Sequence, residues 1–144
     1  MLLNVSTRRT WIPDLLNNNE AAADQQIRVE YDKPNAVSRN AWQRRVATYK
    51  EDGSTHAYTE TDVRGILAGS NVTIHNLTIK TGTKVGQDGK EMDVLKQITT
   101  GEQLAEVRSD YCFLLATQLA QKIMEVEVGS ELLKNSAPDS GPAS

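Results

Sequence analysis

A chain of 144 residues with 38% hydrophobic and 5% aromatic content suits one domain with a modest core. Its net charge of −3 gives no electrostatic case for binding nucleic acid or an anionic membrane. One cysteine, Cys112, excludes an internal disulfide and is too few for a structural zinc site.

Met1 to Thr10 shows no period and is predicted as an extended arm. Its short apolar start precedes Arg8 and Arg9 rather than following them, which is not the order of a signal peptide. No apolar run approaches the roughly 20 residues of a membrane span, so the Asn-x-Thr triplets at Asn71 and Asn76 are read as strand residues rather than glycosylation sites. Both arginine pairs, Arg8-Arg9 and Arg44-Arg45, are too short to track a phosphate backbone and are expected to form a solvated edge or to pair with carboxylates. Trp11-Ile12-Pro13 favours extended backbone, and Pro13 can then start a helical turn through Leu15 and Leu16. Trp11, Ile12, Leu15 and Leu16 form a compact apolar anchor that either folds back on its own core or docks on another subunit. Asn17-Asn18-Asn19 is read as a break, followed by a polar connector to Gln25.

Gln26 to Asp32 alternates strictly, with Ile27, Val29 and Tyr31 on one face, and predicts a half-buried strand. Lys33-Pro34-Asn35 ends it. Ala36 to Arg45 is predicted as a short helix. Glu51-Asp52-Gly53-Ser54 reads as the turn of a hairpin between Val46–Lys50 and Thr55–Thr59. Thr61 resembles the cap of a short helix that Gly69 stops. Asn71 to Ile79 alternates again, but the apolar parity switches between Ile74 and Leu77, as a bulge would require. Gln87-Asp88-Gly89-Lys90 is the strongest turn signal, joining Thr81–Val85 to Met92–Ile98.

Thr100 and Gln103 have capping-box spacing, and Glu102 suits the first turn of a helix. Leu104, Val107, Tyr111, Leu115, Leu119, Ile123 and Val126 then recur at three- and four-residue steps, which predicts one long amphipathic helix ending at Gly129. Phe113, Leu114, Ala116 and Ala120 lie outside that stripe, so the helix is expected to be covered on more than one side. This points to self-association or a partner. Ala137 to Ser144 is a tail of Pro, Gly and Ser with no means of packing. The predicted fold is α+β: a small antiparallel sheet with hairpins packed against a long C-terminal helix, with an N-terminal arm and a C-terminal tail. The expected organisation is an arm and connector over residues 1–25, one α+β domain over 26–136, and a flexible tail over 137–144.

No reaction is legible. His56 and His75 have no partner at metal-ligand spacing, and Cys112 inside a helix is read as a small buried apolar residue. Asp88 and Asp93 are accounted for by a turn and by the polar face of a strand. The glycines Gly82, Gly86 and Gly89 open no helix, as a phosphate cradle must, and no Gly-x-Ser-x-Gly occurs. The chain is therefore expected not to be an enzyme and to use no metal or cofactor.

Three features, in order along the chain, resemble tailed-bacteriophage proteins related to tail-assembly chaperones. The first is Trp11-Ile12-Pro13 with Asn17–Asn19, leading to the strand Gln26–Tyr31 and Pro34. The second is Asn71-Val72 followed by Asn76-Leu77-Thr78-Ile79. The third is Ile98-Thr99-Thr100-Gly101-Glu102-Gln103-Leu104, closing on Ser130-Glu131-Leu132 and Lys134-Asn135-Ser136. The likeness covers about residues 11–31 and 71–136; the hairpins between, and the Asp88-Gly89 turn, depart from it. The resemblance implies a protein that works by contact in the host cytoplasm, holding tail-tube subunits or the tape-measure protein competent for assembly. Separately, the two-sided apolar helix predicts homo-oligomers, and the net charge and the lack of a long apolar run predict no direct nucleic-acid or membrane partner. Trp11, Ile12, Leu15, Leu16, Phe113 and Leu114 are the expected partner-binding residues. A permanent virion component, such as a head–tail connector or tail-completion protein, is the alternative. A small enzyme whose site the sequence hides is the remote one.

Overall fold

The computed structural model describes residues 1–2, 6–51 and 59–125. Among them the order is β1 (Arg8–Trp11), a 3-10 turn (Asn18–Glu20), β2 (Arg28–Asp32), α1 (Ala36–Glu51), α2 (Glu60–Ala68), β3 (Thr73–Val85), β4 (Glu91–Thr100), α3 (Gly101–Glu106) and α4 (Asp110–Met124). The four strands form one antiparallel sheet in the order β1-β2-β3-β4. The α+β class is as predicted.

Residues Val29 and Tyr31 of β2, Ile74 and Leu77 of β3, and Ile98 of β4 make one buried sheet face. Against it lie Val63, Ile66 and Leu67 of α2, Leu104 of α3, and Cys112, Leu115, Leu119 and Ile123 of α4, in a single core cluster. Burying each of these larger side chains contributes roughly 1.5–3 kcal/mol, and this drives the helices onto the sheet.

Several elements differ from expectation. The arm predicted over Met1–Thr10 contains β1, because Arg8 is pinned across the sheet. Its guanidinium donates to Asp32 at 3.3 Å, to the Asn71 carbonyl at 2.6 Å and to Thr73 Oγ1 at 3.1 Å. No hairpin starts at Val46, since α1 runs on to Glu51; the Asp52–Ser54 turn lies outside the described residues. Asn35 opens α1 by accepting from Ser38 N at 2.8 Å. The cap of α2 is Thr59 rather than Thr61, in a reciprocal box with Asp62 at 3.2 Å in both directions.

The long C-terminal helix is two helices. Thr100 does accept from Gln103 N at 3.2 Å and starts α3, but Gln103 Oε1 reaches Thr99 N at 2.8 Å rather than Thr100 N. The helix stops at Glu106, and Val107 to Ser109 is non-helical. Ser109 sits at the N-cap position of α4 with extended backbone (φ −150, ψ 135), and Asp110 follows in the first turn. The apolar spacing survived the break because α3 and α4 face the same core. Within α4 the buried set is Cys112, Leu115, Ala116, Leu119, Ala120, Ile123 and Met124, so Ala116 and Ala120 belong to the core-facing stripe. Val126, Gly129 and the tail from Ala137 lie outside the described residues.

The strand parity switch is real. The β3–β4 register shifts between Thr73 and Leu77, and Asn76 takes φ 66 while its side chain donates to the Gln26 carbonyl at 2.8 Å. The turn at Gln87–Lys90 also forms, with Gly89 at φ 79 and Asp88 Oδ1 accepting from Lys90 N at 3.1 Å.

Candidate interaction surface

Two features position the exposed surface of this molecule: the corner between α3 and α4, and the reach of the β3–β4 hairpin. At the corner, Val107 to Ser109 breaks the helix between α3 and α4, and the start of α4 faces α2 across a groove. The groove, of about 600 Å³, is floored by Val63, Leu104 and Ala116 and flanked by Phe113. Its rim is charged with both signs: Glu60 and Arg64 pair at 3.4 Å along α2, and Glu106, Arg108 and Asp110 edge the corner. Phe113 is 54% exposed and Leu114 45%, which is unusual for neighbouring large apolar residues on an otherwise core-facing helix.

Behind the same corner, a second groove runs between the hairpin and α4, lined by Ile79, Lys80 and Lys96 on one side and Tyr111 and Cys112 on the other. Here burial pushes the Cys112 thiol above its ordinary range, and the Ser109 side chain hydrogen-bonded to it offsets this in part. The Tyr111 phenol is raised too, first by burial and then by the neighbouring Cys112. A thiol kept protonated is a poor nucleophile.

The N-terminal anchor is divided. Trp11 and Leu15 pack against the core, whereas Ile12 is 44% exposed and Leu16 83%. What holds this segment is Asn18, in the run read from sequence as a break. Its amide Nδ2 donates to the Pro13 carbonyl at 2.8 Å and to the Ile27 carbonyl at 3.0 Å, and its Oδ1 accepts from Ile27 N at 2.7 Å. A buried amide with three satisfied bonds closes the loop between β1 and β2. The structure does not gather the six predicted partner-binding residues into one cavity: Phe113 and Leu114 are consecutive on α4, and Ile12 and Leu16 flank the segment that Asn18 closes.

Sequence reading missed the α1–α2 joint. Trp42 lies so close over Gly65 that an added Cβ there would meet its ring at 2.8 Å, and Arg45 stacks on Trp42 at 5.5 Å. Arg45 also reaches the Asp62 carboxylate at 2.7 Å, and the Asp62 side chain is 1% exposed. Pairing with some carboxylate was one of two readings of Arg44-Arg45, and nothing in the order of residues named Asp62.

Among the described residues, no group of three or more His, Cys, Asp or Glu side chains forms a metal-binding cluster. Asp93, considered above for catalysis, pairs with Lys80 at 3.0 Å. No helix of the described residues is long and apolar enough to cross a membrane.

No family model, curated protein or solved structure matches this chain.

Proposed function

We propose that the protein acts by protein–protein contact, as a morphogenesis factor of a tailed bacteriophage that assists tail assembly. The observation that carries the contact reading is an apolar-floored groove with a charged rim, flanked by the exposed Phe113, whose neighbour on α4, Leu114, is also exposed. Such a patch, central apolar and peripherally charged, has the layout of a partner site. The phage assignment rests on the ordered resemblance at Trp11–Pro13, Asn71–Ile79 and Ile98–Leu104, and its partners are tail-tube subunits or the tape-measure protein.

The test is co-expression of the chain with those tail subunits from its own source. Replacing Phe113 and Leu114 together by Asp lowers co-purification at least tenfold while the far-ultraviolet spectrum is retained. Unchanged co-purification, or no association of the unaltered protein, removes this reading. The projecting β3–β4 hairpin favours a second reading, a permanent virion connector whose hairpin reaches between neighbours. Mass spectrometry of purified particles separates the two: fixed copy number in particles supports the connector, and presence only with soluble tail subunits supports the assembly factor.

A further inference from the structure

The β3–β4 hairpin outgrows the fold that carries it. β2 pairs with β3 only from Thr73 to His75, yet β3 continues to Val85 and β4 starts at Glu91. From Lys80 outward, among the described residues, each of the two strands pairs only with the other, and Val85, Met92 and Leu95 are exposed on them. A two-stranded ribbon is marginal in water, and β4 is the last strand of the sheet, so its outer edge has no strand beside it among the described residues. Leu95, at 63% exposure, and Lys96 stand next to each other near its middle.

The chain itself contains a fitting complement. α4 ends at Met124, and Glu125 leaves it with extended backbone (φ −64, ψ 133). The sequence there reads Glu125-Val126-Glu127-Val128, a strict two-residue alternation of acid and β-branched residue. Set antiparallel to β4 with Val128 opposite Leu95, it puts Glu127 opposite Lys96, so apolar meets apolar and acid meets base. The same chain cannot make this pairing. Lys96 lies beside Tyr111 and Cys112 at the start of α4, whereas Lys33 holds its far end by donating to the Ile123 carbonyl at 3.2 Å. The 15 residues of α4 separate the two ends by roughly 22 Å. Val128 is three residues beyond Glu125 and reaches only about 10 Å.

We infer that the β4 edge of the hairpin is the docking site for the Glu125–Val128 segment of a second copy of this chain, joined as an added antiparallel strand. Acceptor and donor sit at opposite ends of the molecule, so the contact is head-to-tail and can propagate from copy to copy. This does not rest on the morphogenesis reading, because it uses neither Phe113 nor Leu114.

The test is a mixture of two full-length variants, Leu95→Cys and Val128→Cys, under mild oxidation with diamide; Cys112 is buried and does not compete. The expected product is a linked pair of twice 15.9 kDa in the mixture. In chains otherwise unaltered, Lys96→Glu or Glu127→Lys alone shifts self-association to about fivefold higher concentration by sedimentation at low salt, and the two together restore it. Three results overturn the proposal: no linked pair in the mixture; a Leu95→Cys, Val128→Cys double variant closing on itself at high dilution; or Val128→Cys linking to Thr10→Cys within one chain, which would lay the segment on its own β1. Loss of this contact with tail-subunit binding intact leaves the proposed function standing.

Discussion

At the scale of single residues, two polar side chains hold joints that the apolar pattern does not announce. Asn18 satisfies one backbone donor and two acceptors around the β1–β2 loop. Asn18→Ala strands those groups and is expected to cost about 2 kcal/mol in urea unfolding, with Asn18→Asp costing as much because a carboxylate has no N–H to give. Asp62 is at once the reciprocal cap of α2 and the partner of Arg45. Asp62→Ala removes both and is expected to lower stability by roughly 2–4 kcal/mol, and Arg45→Met, which keeps the cap but leaves the buried carboxylate without this cation, by a similar amount. An unfolding midpoint for Asp62→Ala within error of the unaltered protein would refute the joint. Neither residue could be singled out from sequence. An Asn triplet and an Asp in a polar run carry ordinary turn and cap statistics, and what selects Asn18 and Asp62 is the backbone that tertiary folding brings beside them. Arg8 and Arg45 were legible only as a solvated edge or as partners of some carboxylate.

At the scale of elements, local rules were most reliable where one element is self-contained. β2, the tight turn at Asp88-Gly89 and the bulge within β3 were readable because alternation, parity and turn chemistry all act over a few residues. The α3–α4 corner was not, because an apolar stripe measures which side faces the core and is blind to whether the backbone between its members is continuous. Ser109-Asp110 was the available sign, a second cap inside the stripe. That corner places Cys112 and Tyr111 in a buried setting, and burial raises both above their ordinary values. The folded state therefore prefers their protonated forms. The stability they add is present at neutral pH and is lost as pH rises through the folded values. Unfolding free energy is expected to fall as pH rises above about 9, and Cys112→Ala to flatten that fall while lowering stability at pH 7 by about 1 kcal/mol. Parallel pH profiles for the two proteins would show that the thiol has no part in it. Gly101, at the start of α3, supplies a further check: an added Cβ would meet the Leu67 and Val72 Cβ atoms at 3.0 and 3.1 Å. Gly101→Ala is expected to cost about 1–3 kcal/mol by calorimetry.

At the scale of the whole molecule, the order of strand and helix patterns set the class and the sheet-on-helix layering followed from it, while the surface depended on what the core left uncovered. The six residues predicted to bind partners separate into a packed set, Trp11 and Leu15, and an outward set, Ile12, Leu16, Phe113 and Leu114. If the outward set meets partners, Leu16→Asp leaves the unfolding midpoint within about 0.5 kcal/mol of the original and weakens association, whereas Trp11→Ala lowers stability by about 3 kcal/mol. A Leu16→Asp protein that unfolds early would place that side chain in structural service. The sequence could name these residues as apolar and close together; it could not divide them, because facing inward or outward at a turn is fixed by Asn18 and Pro13.

The sheet has a narrow waist. β1 with β2 and β3 with β4 are each joined by several residue pairs, but β2 meets β3 only at Arg28–Glu30 against Thr73–His75, across more than forty intervening residues. Closing that seam carries the largest loop entropy in the sheet, so it is where the folding rate should be set. Truncating Val29 or Ile74 would slow refolding, while changes beyond Lys80 would leave the rate alone. Amide hydrogens at the waist should exchange last and those of the distal hairpin first. The hairpin would then open and re-form while the body that carries it stays folded.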